Sequence, residues 1–393
     1  MKPISSFFLL LPTLLLGSAQ QISSGGVITP SLPTPAQVTP TPSIQSIIPC
    51  NNSPLLCNRP HNNITHIGAH DSSFLRDSST SNSVAGNQFF NATIALSAGV
   101  RLLTAQVHTL SSSDSTLHLC HSYCALLDAG PLTTWLSAIK YWLDNNPNDV
   151  ITLILVNSDN QPASAFGEAF DSSGISSYGF VPPPNSSNSS SSSGEWPTLQ
   201  SMISSNKRLV TFIASIPTTT SNSTSAYPFL LPEFQYIFET SYNITSPSQF
   251  NCELDRPSLA QSSSKAIQSG LLPLINHFQY IDLGSGIQIP DVSDIGTTNS
   301  PDTKTQGNLG KHLMDCKREW EGVSQKPVFV LVDFFDRGPS VEAGDLMNGL
   351  LEKDIVGRVK PKSQQEQIGA AAEKKGVPVV ALVGFLGVAV VLL

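Results

Sequence analysis

The chain predicts an α/β fold built as a (β/α)8 barrel, on three observations. Eight short apolar runs recur between residues 60 and 350, separated by helical or loop segments, which is the rhythm of βα units around a parallel sheet. Two of them, VITLILVN at 150–157 and VFVLVDFF at 328–335, are almost wholly apolar, as strands buried on both faces are. Between strands, LTTWLSAIKYWLDNN carries Trp135, Ile139, Trp142 and Leu143 at helical spacing, a stripe that faces a core.

In chain order, the expected strands are 64–69, VRLLTAQV at 100–107, TLHLCH at 116–121 and 150–157. They continue with RLVTFIAS at 208–215, FQYIFE at 234–239, LPLINHF at 272–278 and 328–335, and DLMNGLL near 345–351 reads as the last helix. Residues 20–48 are rich in Pro, Ser and Thr and bury too little apolar surface to fold, so they read as an extended stalk. The low-complexity stretch 181–194 and the Ser/Thr-rich stretch 216–226 read as solvated inserts.

Both termini carry address signals. Lys2, the apolar run FFLLLPTLLLG and the small residues Gly17, Ser18 and Ala19 form a secretory signal peptide over 1–19. At the far end, Gly369, Ala370 and Ala371, a short polar spacer and VPVVALVGFLGVAVVLL have the order of a GPI-anchor signal, with a single-pass tail helix as the alternative. The expected organisation is therefore signal peptide 1–19, stalk 20–48, barrel 49–352, polar linker with the attachment region 353–375 and hydrophobic tail 376–393. That places the protein at the cell surface, in contact with a membrane.

Composition agrees with that route. Only 13% of the 393 residues are charged, about half of the roughly 25% usual in soluble domains. Seven sequons, at Asn51, Asn63, Asn91, Asn185, Asn188, Asn222 and Asn243, offer glycans in place of charge. A formal net charge of -8, with no basic run, argues against a nucleic-acid partner, whose phosphates call for a basic face. Six cysteines in an oxidising compartment allow about 15 pairings, and a local scheme is expected: Cys50 with Cys57, Cys120 with Cys124, Cys252 with Cys316. No Cys-x-x-Cys occurs, so neither a metal nor a cofactor is expected.

In a barrel of this kind the working groups project from the C-terminal ends of the strands. His70 and Asp71, His121, Glu239, His277 and Asp333 all sit at such ends. Any one of them has the ordinary explanation of a satisfied buried polar group. Together they are costly to bury unless paired. Asp333 interrupts FVLV–FF and needs a partner, and the first strand neighbours the eighth once a barrel closes, which makes His70 its mate. Two imidazoles with orienting carboxylates suit acid/base chemistry near neutral pH.

GAHDS at 68–72, GVR at 99–101, LCHS at 119–122 and VDFFD at 332–336 resemble the X-domain of phosphatidylinositol-specific phospholipases C. The stretches GNQ at 86–88, WL–NP–DV at 142–150 and NHF at 276–278 are similar to those of secreted fungal PLC-like phosphodiesterases. The resemblance covers about residues 60–350 and implies an irregular (β/α)8 TIM-type barrel. It implies that His70, held by Asp333, deprotonates the inositol 2-hydroxyl, and that His121, oriented by Asp71, protonates the departing diacylglycerol oxygen. Glu239 falls where the family has an acidic contact to inositol hydroxyls, and His277 is left as a rim hydrogen bond. The implied partner is a phospholipid or inositol-phosphate substrate.

This chain departs from the family after GVR. Where an acidic residue and then an arginine or a calcium-binding aspartate are expected, it has Thr104 and Gln106. Gln106 is left to offer the substrate phosphate one neutral hydrogen bond, and Arg101 is the candidate for compensation, although its place in GVR resembles a structural position of the family. Two readings follow: a metal-independent phosphodiesterase, or a weakened or inactive glycoprotein that binds a glycan or inositol head group in the same cleft. A glycerophosphodiesterase would need a His-Arg-Gly start and clustered carboxylates, which this chain lacks.

Overall fold

A computed structural model describes residues 48–362 apart from 112–115, 183–195, 217–225, 285–286 and 324. The signal peptide, the hydrophobic tail, nearly all of the stalk, most of both inserts and the sequons Asn185, Asn188 and Asn222 lie outside the described residues.

Eight parallel strands curl into one sheet. They are β1 (His66–Ala69), β2 (Leu102–Thr109), β5 (Ile151–Asn157), β6 (Leu209–Ala214), β7 (Leu230–Pro232), β8 (Ile237–Glu239), β9 (Leu272–Asn276) and β12 (Phe329–Val332). Their spatial order is β7-β6-β5-β2-β1-β12-β9-β8. The first and last strands of the chain therefore lie side by side, with Ala69 opposite Val332. Among the described residues no ladder joins β7 to β8. The reason is the connection: parallel neighbours need a crossover of about a dozen residues, and only the single turn Glu233–Gln235 and Tyr236 separate these two. The fold is the expected irregular barrel, open at one seam.

Two strand assignments change. The run at 116–121 is β3 (Leu117–Cys120), which turns back antiparallel on β2 and pairs with β4 (Asp128–Pro131) outside the barrel. The barrel strand that takes its place in the count is β7, whose two leucines are hidden between prolines in YPFLLPEF. Proline is tolerated there because β7 is an edge strand. The antiparallel β10 (Tyr280–Asp282) and β11 (Gln288–Pro290) form a separate hairpin.

The helices are α1 (Ala92–Ser97), α2 (Leu132–Asn145), α3 (Ala163–Ser173), α4 (Leu199–Ser204), α5 (Ser263–Gln268), α6 (Ile295–Thr298), α7 (Leu309–Glu319) and α8 (Ser340–Met347). On α2, Leu132, Leu136, Ile139, Trp142 and Leu143 are buried and Trp135 packs at the margin, as the spacing predicts. α8 begins earlier than the DLMNGLL run and stops before Gly349, whose φ of +66° suits glycine. Along β5, Leu153 and Leu155 face the helices while Ile154 faces the barrel interior, which explains an unbroken apolar strand. Gly68 in β1 is required by that interior: a Cβ would lie 2.7 Å from the Leu102 side chain and 2.8 Å from that of Leu331.

The disulfides are Cys50–Cys57, Cys120–Cys124 and Cys252–Cys316, as the local scheme predicts. One sequon is corrected. Asn51 is buried, its amide donating to the Val150 carbonyl and accepting the Val150 N–H, so the folded chain has no room for a glycan there. Asn63, Asn91 and Asn243 are exposed. Among the described residues no helix is long and apolar enough to cross a membrane.

Candidate active site

The seam between β1 and β12 builds the centre. One residue beyond the Ala69–Val332 pair, the His70 Nδ1 lies 2.9 Å from the Asp333 Oδ1. Asn87 donates to the same oxygen at 3.1 Å. Gln88 donates to the carbonyls of His70 and Val332 and accepts the Phe335 N–H, stitching both strand ends together. Phe278 stacks on the imidazole with ring centroids 3.8 Å apart and planes 7° from parallel. With Nδ1 committed to a carboxylate, His70 presents Nε2 to the cleft.

The β2–β3 hairpin brings in the second imidazole. The Val107–Leu119 pairing carries the chain back toward the mouth, and the Cys120–Cys124 disulfide closes the turn that holds His121. The His121 Nε2 and the His70 Nε2 each lie 3.6 Å from one atom, the Asp71 Oδ2. Both rings line a cavity of about 390 Å³, with side-chain exposures of 14% for His70 and 12% for His121, so a substrate can reach them. Phe74 meets His121 edge-on at 5.0 Å.

The electrostatics of the two rings differ. Burial pulls the His70 pKa down, but Asp71, then Asp333, outweigh it and the net direction is up. For His121 burial wins over the attraction of Asp71 and its pKa falls. Its Nδ1 is buried without a hydrogen-bond partner, so a charge on that ring is poorly solvated. Burial raises the Asp333 carboxyl against the opposing pull of His70.

The facing wall is acidic and polar. Glu239 is paired with Arg256 and accepts from Asn276 at 3.3 Å. Glu233 is 1% exposed, and burial, followed by repulsion from Glu239, pushes its carboxyl well above the usual range. Glu233, Glu239 and Arg256 all line the cavity. Asn87, Gln88, Phe278, Glu233 and Arg256 join the site without a sequence pattern that marks them, apart from GNQ and NHF as fragments of the resemblance.

Two expected contacts, Arg101 and His277, are not where the sequence put them, and Gln106 is in place but already hydrogen-bonded within the protein. Arg101 immediately precedes β2 at the opposite end of the barrel, bound to Asp149 at 2.7 Å, to Asn52 and to the carbonyls of Leu96 and Val100. It cannot compensate for a missing phosphate contact. His277 points away from the cleft and is fully buried, its Nδ1 3.0 Å from the His312 Nδ1 and its Nε2 2.9 Å from the Thr298 carbonyl. Gln106 lines the cavity, but its amide is engaged at both ends, donating to the Asp71 Oδ2 at 2.7 Å and accepting the Ser122 N–H at 2.9 Å. The Thr104 Oγ1 accepts the Asp71 N–H at 2.7 Å. Thr104 and Gln106 are neutral and each oxygen already accepts one N–H, so positions 104 and 106 supply none of the carboxylate charge that a calcium site draws on. Among the described residues, Cys252, His312 and Cys316 also converge within 4.8 Å, but the two sulfurs are joined in a disulfide.

Comparison with known proteins places this geometry in a family. The PI-PLC X family model (PI-PLC X 1) matches residues 56–348. A PI-PLC X domain-containing protein 1 from Arthroderma benhamiae is 34% identical over 315 residues, covering 80% of this chain and 93% of the relative. An uncharacterized secreted protein from the same organism is 29% identical over 331 residues, covering 83% of this chain and 69% of the relative. Among solved structures, the phosphatidylinositol-specific phospholipase C of Listeria monocytogenes aligns with a TM-score of 0.46 at 16% identity, over 76% of this chain and 98% of its own. A Staphylococcus aureus counterpart aligns with a TM-score of 0.41 at 14% identity, over 75% of this chain and 97% of its own. With three quarters of its length under the family model and a relative matched almost end to end, the chain belongs to the PI-PLC X family, whose fold is that of a PLC-like phosphodiesterase.

Proposed function

We propose that the chain is a cell-surface phosphoric diester lyase and hydrolase acting on phosphatidylinositol or a related phosphodiester through a histidine pair. The observation that carries the reading is the pair of Nε2 atoms, one on the ring backed by Asp333, each 3.6 Å from the Asp71 Oδ2. The His70 Nε2 takes the proton of the substrate hydroxyl adjacent to the phosphodiester, and the resulting oxygen attacks phosphorus. The bond from phosphorus to the lipid oxygen breaks, and His121 in its imidazolium form, a stronger acid for its lowered pKa, gives that oxygen the proton on its Nε2. A cyclic phosphate and a diacylglycerol leave, His70 holding the proton of the substrate hydroxyl and His121 one proton short, and passing a proton from His70 to His121 through solvent resets the pair.

A lipid substrate is favoured by the rim. Tyr123 (74% exposed) and Leu126 (52%) extend from the His121 turn, and Leu283 (60%) and Ile287 (58%) extend from the hairpin whose Tyr280 and Gln288 line the cavity. Large apolar groups bordering a polar cleft suit a membrane surface. The secreted relative and the three disulfides support an extracellular location. Anchoring by a GPI group or a tail helix rests on the sequence of 353–393 alone.

The second reading is a binding glycoprotein that uses the same cleft without turnover. It is favoured by the absence of a cation at 106, since charged clamps on a phosphoryl group stabilise developing charge. The deciding experiment incubates purified protein with phosphatidylinositol vesicles, with and without chelator, beside a His70→Ala control. Cyclic inositol phosphate above the control supports the enzyme. Vesicle binding with no product above the control supports the binding protein.

A further inference from the structure

We propose that Gln106 is a positioning residue that ties the two catalytic histidines to each other through Asp71 and does not itself contact the substrate phosphate. The inference rests on the acid/base reading of His70 and His121 and concerns how their spacing is kept.

The residue that follows each histidine is a non-glycine residue in the left-handed region, Asp71 with φ +45° and Ser122 with φ +58°. Such conformations are uncommon and persist only where surrounding contacts over-determine them. Gln106 contacts both. Its Nε2–H donates to the Asp71 carboxylate and its Oε1 accepts the Ser122 backbone N–H, at 2.7 and 2.9 Å. The Asp71 turn is held from below as well, because the Thr104 Oγ1 and carbonyl accept the N–H groups of Asp71 and Ser72. Thr104 and Gln106 alternate onto the same face of β2, so one strand sets the height of both histidine turns.

The chemistry of the side chain is specific. One contact requires a donor and the other an acceptor, which an amide supplies together. Arginine has donors only and would leave the Ser122 N–H without a partner. Glutamate has acceptors only and would set a second carboxylate against Asp71. Bringing a cation to 106 therefore adds charge at the cost of the link between the turns.

The test measures both histidine titrations by NMR, together with inorganic phosphate binding and turnover of phosphatidylinositol vesicles, in wild type, Gln106→Glu, Gln106→Arg and Gln106→Met. Asp71 is the largest influence raising the pKa of each ring. Freeing its carboxylate in Gln106→Met must shift both titrations while phosphate affinity stays within about twofold. In turnover, kcat falls about 10- to 100-fold with little change in KM, and Gln106→Arg does not exceed wild type. Unmoved histidine titrations, lost phosphate affinity in Gln106→Met, or faster turnover in Gln106→Arg overturns the proposal. The titrations need no turnover, so an inactive wild type leaves this test intact and counts only against the enzymatic reading. Melting curves of Gln106→Glu and Gln106→Arg separate loss of fold from loss of alignment.

Discussion

His70 and Asp333 meet across the junction of the first and last barrel strands, Nδ1 to Oδ1 at 2.9 Å, although 263 positions separate them in the chain. The contact fixes the tautomer of the ring and leaves Nε2 as the free base. Asp333→Asn reverses that preference, because an amide can donate to Nδ1 and force the proton onto Nε2. The expected result is a fall in kcat of about 10²- to 10⁴-fold with a near-normal melting temperature, by analogy with carboxylate loss in serine protease triads. Activity within a few-fold of wild type would place the base elsewhere.

Asp71 offers a sharper electrostatic test. Its carboxylate is the largest influence raising the His70 pKa, acting against burial, which lowers it. In Asp71→Asn the attraction disappears and the desolvation remains, so the His70 titration moves to lower pH. The His121 titration moves the same way, because Asp71 is also the main group opposing its desolvation. Imidazole proton shifts followed against pH read both directly. A His70 titration that rises or stays put would show that Asp333 alone sets the charge state of the ring.

The turn bearing His121 is closed by a disulfide between residues four apart in sequence. So short a loop removes little entropy from the unfolded chain, and its loss costs roughly 2 kcal/mol in the chain-entropy picture. Misplacing a catalytic group by about 1 Å can cost 10²-fold in rate. Cys120→Ser with Cys124→Ser therefore lowers turnover by about 10²-fold while shifting the melting temperature only modestly. A variant that loses stability and activity in parallel would make the bridge a structural staple only.

The two halves of the site differ in how far they can be read from the chain. Asp333 was legible because a carboxylate inside an apolar strand demands a partner, and the closure of a barrel supplies one at His70. Gln88 was not, since its partners are the backbone carbonyls of His70 and Val332, which no spacing encodes. Arg256 lies on an irregular segment and reaches Glu239 through an isolated bridge, with no periodic pattern to mark it. Arg101 misled because motif position says nothing about which end of a strand a residue occupies; immediately before β2 it faces Asp149 at the barrel floor. Strand β3 misled for a related reason. Its apolar alternation reports a half-buried strand and does not distinguish a barrel stave from a hairpin laid over the rim.

The floor of the barrel holds one pair of buried histidines that makes stability depend on acid, beside the buried pair His277 and His312. His61 and His66 stack with ring centroids 4.5 Å apart, both buried, the His66 Nε2 3.0 Å from the His61 carbonyl. Burial lowers the His61 pKa well below its ordinary value and brings that of His66 to about 4. The unfolded chain protonates both near 6.5, so below that pH it binds more protons than the native state, and stability falls as pH falls. For His66 alone the loss approaches about 3 kcal/mol by pH 4, at 1.36 kcal/mol per unit. Denaturant melts at pH 7 and pH 4.5 should show a marked drop for wild type and a smaller one for His66→Gln, which cannot titrate. Equal drops in the two proteins would move the origin of acid unfolding to another group.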